Sequence, residues 1–170
     1  MTGGECAGKT TLARALAARF ATAWAPEAAR AVADGKRGAL GPEDVPVIAR
    51  EHLVLAEEAE RTARAAGARL VVFDQDLLST VVYARHYYGS CPAWIERRAA
   101  ERRGDLYLLC RPDLPWRADG VRDRPAAREE IHALFVAALR AANVRAVEIG
   151  GVGPAREALA LAAVADRTGA

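Results

Sequence analysis

From Lys9 to about Phe20 the apolar residues Leu12, Ala13, Leu16, Ala17 and Phe20 recur at helical spacing, which predicts a helix with one buried face. The short stretch 21–25 leads to Pro26, which at a first helical position predicts a helix over 27–33. Gly35, Gly38 and Gly41 then mark a loop. Residues 42–66 carry Ile48, Leu53, Leu55 and Ala59 among charged positions, the pattern of one long amphipathic helix stopped by Gly67. In 69–74 the run Leu-Val-Val-Phe is continuous and rich in β-branched residues, as a strand covered on both faces requires. Asp74 and Asp76 stand at its far end. Helices follow over 77–88 and 92–102, separated by Gly89-Ser90-Cys91, then a second buried strand over 105–110. A stretch rich in Pro, Arg and Asp (111–125) precedes a helix over 126–142, a third strand over 144–149, a glycine turn over 150–154 and a closing helix over 155–167. Strands alternating with helices, without internal repeats, predict an α/β fold with a parallel sheet.

Composition narrows this further. A chain of 170 residues is expected to be a single domain, and 52% hydrophobic against 27% charged residues excludes a disordered chain. A net charge of +2 gives no reason to expect nucleic acid or an anionic membrane as partner. Nothing near Met1 resembles a signal peptide and no window is apolar enough to span a membrane, so a soluble, cytoplasmic protein is expected. Cys6, Cys91 and Cys110 are too far apart for a disulfide framework or a zinc knuckle. The basic residues are nearly all Arg; Lys occurs only at Lys9 and Lys36, which draws attention to both.

Lys9 lies in the segment of highest chemical content. Gly3-Gly4-Glu5-Cys6-Ala7-Gly8-Lys9-Thr10 matches the G-x-x-x-x-G-K-[ST] phosphate loop and opens a helix, as that motif requires. Glycines let backbone N–H groups curl round phosphate oxygens, and the helix N-terminus favours negative charge. Lys9 would bridge the β and γ phosphates of ATP, Thr10 would ligate Mg²⁺, and Thr11 would reach the α phosphate. A glycine-rich helix cap would need neither the lysine nor the spacing. A phosphate loop normally follows a strand, and only Met1 and Thr2 precede Gly3. Either the first strand is stunted or the true start lies upstream of Met1; the second is the expectation.

Four further segments accompany the loop: 24–30 (Trp-Ala-Pro-Glu-Ala-Ala-Arg), 73–80 (Phe-Asp-Gln-Asp-Leu-Leu-Ser-Thr), 107–116 (Tyr-Leu-Leu-Cys-Arg-Pro-Asp-Leu-Pro-Trp) and 119–125 (Asp-Gly-Val-Arg-Asp-Arg-Pro). Together, in order and over nearly the whole chain, they resemble the NadR-type ribosylnicotinamide kinase domain. The resemblance implies a three-layer P-loop kinase fold, a central parallel sheet flanked by helices with its first strand largely missing here. It also implies transfer of the γ-phosphoryl of ATP to the 5′-hydroxyl of nicotinamide riboside, without the fused adenylyltransferase of the bifunctional proteins. Three positions depart from the pattern: an aromatic is expected at Ala28, a Thr at Gln75 and a Ser at Cys6.

Phosphoryl transfer to an alcohol needs positioning, charge neutralisation and a carboxylate for the hydroxyl proton. Asp74, at the end of a buried strand, is a candidate for Mg²⁺ binding or for the base; Glu27 is a candidate substrate acid and Asp76 a candidate ribose ligand. Each could instead be a helix cap or first-turn acid. Arg122 and Arg124 look like lid arginines closing over ATP within a lid of about 111–128, while Arg30 would hold the substrate or Glu27. A pyridinium suits an aromatic wall, for which Trp24 and Tyr87 are chosen over Tyr83 and Tyr88. His52, His86 and His132 lack metal-ligand spacing and read as structural. The turn Gly150–Gly153 falls where related kinases contact adenine. The partner implied is a small-molecule nucleoside. Two readings stay open beside the riboside kinase: a kinase of another nucleoside or metabolite, and an ATP-binding sensor with little turnover, against which the lid arginines argue.

Overall fold

The protein is described by a computed structural model covering residues 1–36, 39–116 and 125–168. The first helix, α1 (Lys9–Arg19), starts from Gly8 in the left-handed region at φ 75 and buries Leu12, Ala13, Leu16 and Ala17. Strand β1 (Trp24–Ala25) and helix α2 (Ala28–Lys36) follow. The predicted long helix divides at its start: Pro42–Asp44 forms a single 3-10 turn, and α3 runs over Val45–Ala65. Asp44 holds that turn by accepting from Gly41 N–H (2.7 Å) and from Lys36 Nζ (2.6 Å). Lys36 therefore serves the fold, and of the two lysines only Lys9 stands in the phosphate loop.

Beyond α3 lie β2 (Val72–Phe73), α4 (Leu77–Tyr88), α5 (Ala93–Glu101), β3 (Tyr107–Cys110), α6 (Arg128–Ala141), β4 (Ala146–Ile149) and α7 (Gly153–Thr168). The predicted helices correspond to these within about three residues; α2 runs on to Lys36, α3 starts at Val45, and α7 begins at Gly153, inside the expected turn. Asp76 caps α4 by accepting from Ser79 N–H (3.3 Å), and Gly89 ends that helix in the left-handed region at φ 76.

The strands pair in parallel as β1 with β2 and β3 with β4. The two pairs are joined by the first two residues of the chain. Met1 N donates to Phe73 O (2.6 Å) and Gln75 N–H to Met1 O (3.0 Å). On the other side Thr2 N–H donates to Leu108 O (3.0 Å) and Cys110 N–H to Thr2 O (2.8 Å). Residues 1 and 2 thus act as a two-residue central strand, giving the parallel order β1, β2, central stub, β3, β4. Alternation along β3 sends Leu108 and Cys110 into a core with α1 and α7, including Leu12, Leu16 and Ile149. It sends Tyr107 and Leu109 into a core with α4 and α6, around Phe135 and Ile131. This is the expected three-layer α/β arrangement, with α3 and α5 packed against α4 through Ala49, Leu77 and Ile95.

A cavity of about 810 Å³ continues the line of the stub between Leu70–Phe73 and Leu106–Leu108. It explains why β2 is shorter than the run 69–74 predicts. Val72 and Asp74 bond to β1 through Ala23 O and Ala25 O, whereas the opposite edge of β2 has a partner only at Met1. No helix among the described residues is long and apolar enough to cross a membrane.

Candidate nucleotide and acceptor site

The phosphate loop leaves the central stub and crosses the carboxyl ends of the strands. Gly3 has φ 128, and a Cβ there would stand 2.6 Å from Cys110 O, so the loop can leave the sheet only as glycine. Gly8 at φ 75 opens α1, and Gly4, Glu5, Cys6 (φ 50) and buried Ala7 complete the turn. Lys9 is 7% exposed and its Nζ donates to Gly4 O at 2.7 Å, so the ammonium lies across the loop it belongs to. Thr10 Oγ1 donates to Asp74 Oδ2 at 2.5 Å, joining the loop helix to the end of β2. Thr11 projects to solvent on the next helical position.

Asp74 is fully buried, and its second oxygen, Oδ1, has no hydrogen-bond partner. A buried, half-paired carboxylate beside a threonine hydroxyl fits a hard cation that takes a few oxygen ligands from the protein and the rest from phosphate and water. The described residues hold no group of three His, Cys, Asp or Glu that could form an all-protein metal cage, the histidines included. Thr10 and Asp74 are therefore the residues that would hold Mg²⁺.

Next to them opens a cleft of about 230 Å³, lined by Thr10, Arg14, Trp24, Glu27, Arg30 and Asp74 among others. The predicted residues Trp24, Glu27, Arg30 and Asp74 thus meet at one place. Trp24 does not offer a bare face, since the Arg14 guanidinium lies over its ring at 5.2 Å. Ala28 is fully buried at the start of α2 and does not line the cleft.

Two predicted substrate residues lie elsewhere. Asp76 borders the sheet cavity, where one carboxylate oxygen caps α4 and the other accepts from Tyr107 Oη at 2.6 Å. Burial, reinforced by that carboxylate, holds the Tyr107 phenol far above its ordinary range, so it stays a donor. The displacement has a local cause: Gln75 adopts φ 75, which breaks the strand alternation that would have set Asp76 beside Asp74. Tyr87, on α4, has its ring centroid 6.2 Å from Tyr83 and 5.1 Å from His86 and is not among the residues that line the cleft. Arg122 and Arg124 lie outside the described residues.

The family model for AAA domains matches residues 1–156. The chain belongs to this family, AAA_28. Over 153 residues it is 30% identical to the trifunctional NAD biosynthesis/regulator protein NadR of Escherichia coli and 29% identical to that of Salmonella typhimurium. Each alignment covers 86% of this chain and 36% of the relative, so the chain spans about a third of the length of these relatives. A crystal structure of NadR protein in complex with NR superposes with a TM-score of 0.78 at 23% identity, covering 99% of this chain and 50% of that one. A second, NadR in complex with NAD and AMP-PNP, gives 0.76 at 24%, covering 99% and 48%. The chain thus shares the fold of the NadR structures and is similar in sequence to about a third of the NadR proteins.

In this AAA_28 domain the sequence left a buried arginine unnoticed. Arg156, 4% exposed on α7, donates to Asp113 Oδ1, Gly151 O and Ala7 O, each at 2.7 Å. It ties the phosphate loop to the end of β3 and to the glycine turn 150–153, which also bonds Asp113 through Gly151 N–H. Burial pushes the Asp113 carboxyl up, but the Arg156 and Gly151 hydrogen bonds outweigh it and hold it below its ordinary value. Only its place one turn into a helix after a glycine turn could have flagged Arg156. Arg156→Met is expected to lower stability by about 3–5 kcal/mol, because four acceptors, Arg111 O at 3.1 Å included, lose a buried charged donor. Calorimetry should show a Tm fall of about 10 °C; a change under about 2 °C would remove Arg156 from this role.

Proposed function

We propose that this chain is an ATP- and Mg²⁺-dependent kinase that phosphorylates the 5′-hydroxyl of nicotinamide riboside to give nicotinamide mononucleotide, a step of NAD salvage. The observation that carries the reading is the convergence of loop, metal acid and acceptor acid: Thr10, Asp74 and Glu27 line one cleft at the mouth of the phosphate loop. It is supported by the NAD biosynthesis role named for the Escherichia coli relative and by the NR bound in one structural neighbour.

In this reading the glycine loop and Lys9 cradle the triphosphate. Bound Mg²⁺ would neutralise charge developing between the β and γ phosphates. Glu27 orients the acceptor and takes its proton as the 5′-oxygen bonds to the γ-phosphorus; the bond to the β–γ bridging oxygen breaks and ADP leaves. Thr10 and Asp74 would hold the metal, Arg30 and Trp24 wall the acceptor, and Arg122 and Arg124, which lie outside the described residues, are proposed to neutralise the transferring phosphoryl.

A second reading, a P-loop kinase of an uncharged nucleoside, is favoured by one observation: the Arg14 guanidinium already lies over the Trp24 ring and places a positive charge beside the wall that a cationic pyridinium would need. The deciding assay is ATP-dependent conversion of nicotinamide riboside with uridine and adenosine as competing acceptors. Turnover of the riboside alone supports the first reading, turnover of uridine or adenosine the second, and ATP binding without turnover a sensor. In single-turnover experiments Glu27→Gln should slow the chemical step by about 10²–10⁴-fold with little change in ATP affinity. Equal small losses in Glu27→Gln and Asp74→Asn would overturn the division of roles.

A further inference from the structure

Gln75 stands between the two carboxylates at the end of β2 and was assigned no role by the motifs. Its backbone is in the left-handed region at φ 75, a conformation that a non-glycine residue adopts only at an energetic cost. The cost is borne because the neighbours on both sides are fixed. Asp74 N–H donates to Ala25 O at 2.8 Å, Gln75 N–H to Met1 O at 3.0 Å, and Asp76 caps α4. The side chain is 5% exposed and donates from Nε2 to Glu27 Oε1 at 2.7 Å. Because an ionised carboxylate only accepts, the amide orientation is fixed by its partner. Glu27 lies just past β1, so this one bond links the ends of two adjacent strands, with Glu27 lining the cleft and Gln75 held behind it on the side of the sheet cavity. Its other oxygen, Oε2, has no partner among the described residues.

We propose that Gln75 is a positioning residue for the acceptor carboxylate: its amide fixes Glu27 through Oε1 and leaves Oε2 as the oxygen that meets the acceptor hydroxyl. The inference rests on the kinase reading above and deepens it. Glu27 sits at the start of α2 on a side chain with three rotatable bonds, and unheld it would spread over several rotamers. A neutral donor fixes the rotamer without adding a positive charge to a cleft that already contains Arg14 and Arg30.

The test is a double-mutant cycle of Gln75→Met and Glu27→Ala, read in kcat and KM for nicotinamide riboside, in KM for ATP and in Tm. Gln75→Met keeps the length and loses the donor. It should lower riboside kcat/KM about tenfold, leave KM for ATP within about twofold and cost nothing further in the Glu27→Ala background. Gln75→Asn provides a second variant, since Asn tolerates a positive φ better than most residues but is one methylene shorter. It should match the Tm of the parent while losing riboside kcat/KM like Gln75→Met. The proposal is overturned if either variant keeps full riboside kcat/KM, if the losses add to that of Glu27→Ala, or if KM for ATP rises in step. A parent protein that turns over no nucleoside would overturn the kinase reading itself and this inference with it.

Discussion

Lys9→Met should remove phosphoryl transfer while leaving the nucleotide-free protein as stable as before, or more so. The two effects separate because, among the described residues, the ammonium is buried without an anion: it is 7% exposed and its hydrogen bond is to the Gly4 carbonyl. Its desolvation is a cost in the free protein that only phosphate oxygens recover, and a methionine of similar length fills the same space without that cost. Turnover should fall by about 10²–10³-fold, the usual loss when one donor to developing charge is removed. A saturating nucleotide at about 100 times Kd stabilises a protein by about 2.7 kcal/mol, and most of the corresponding rise in Tm should vanish in the variant. Thermal melts with and without Mg²⁺·ATP would check both halves. A variant that still gains the full nucleotide shift would show that Lys9 does not touch phosphate; one that melts well below the parent would show that its bond to Gly4 is structural.

The second large effect concerns the sheet. Adding four or five apolar, β-branched residues ahead of Met1 should raise Tm by about 6–12 °C, corresponding to about 3 kcal/mol. The added backbone would continue the stub between Val71 and Leu106, meeting strand edges that now face the cavity of about 810 Å³. Alternation places the Phe73 and Leu108 N–H groups on those edges, since Val72, Asp74, Tyr107 and Arg111 bond outward to β1 and β4. The extension also removes a buried amine. Burial lowers the pKa of the Met1 amino group, with partial opposition from Cys110, Asp76 and Asp74. The folded state therefore binds fewer protons than the unfolded chain, whose amine titrates near the ordinary value of about 8. Stability should fall as pH drops below about 8, down to the folded pKa, and should rise with pH across that window. In the extended protein this slope should disappear. An extension that changes neither Tm nor the pH profile would show that the cavity does not accept a strand.

Much of this was legible in the residues. Helix positions followed from apolar spacing, and the loop from Gly3 to Thr10 was readable because close backbone approach and a buried lysine leave few sequence solutions. The sheet was less legible: 69–74 is as apolar as a full central strand, yet pairing stops at Val72–Phe73 because pairing depends on a neighbour, not on composition. At the site, Asp74 was visible as an acid at the end of a buried strand and Glu27 as the acid that follows Pro26 at the start of a helix. Asp76 was misplaced because pattern reading assumes extended backbone through Gln75. Tyr87 was misplaced because an aromatic on a helix reads the same whether it faces a cleft or another ring. Arg156 and Gln75 left almost no trace, since their importance comes from partners 149 and 48 residues away in the chain.

The central stub also bears on how the chain folds as it is synthesised. Its bonds span 72 residues to Phe73, and its other neighbours, Leu108 and Cys110, are made later still. The β1 and β2 pair can form once the chain has emerged through Phe73, and the β3 and β4 pair must wait for residue 149. Residues 1 and 2 are thus made well before the strands that lock them in place, and the phosphate loop attached to them stays open until then. Ordering by such distant contacts is slow relative to local helix formation. Nucleotide-binding competence should accordingly be gained late, after most of the chain has been translated.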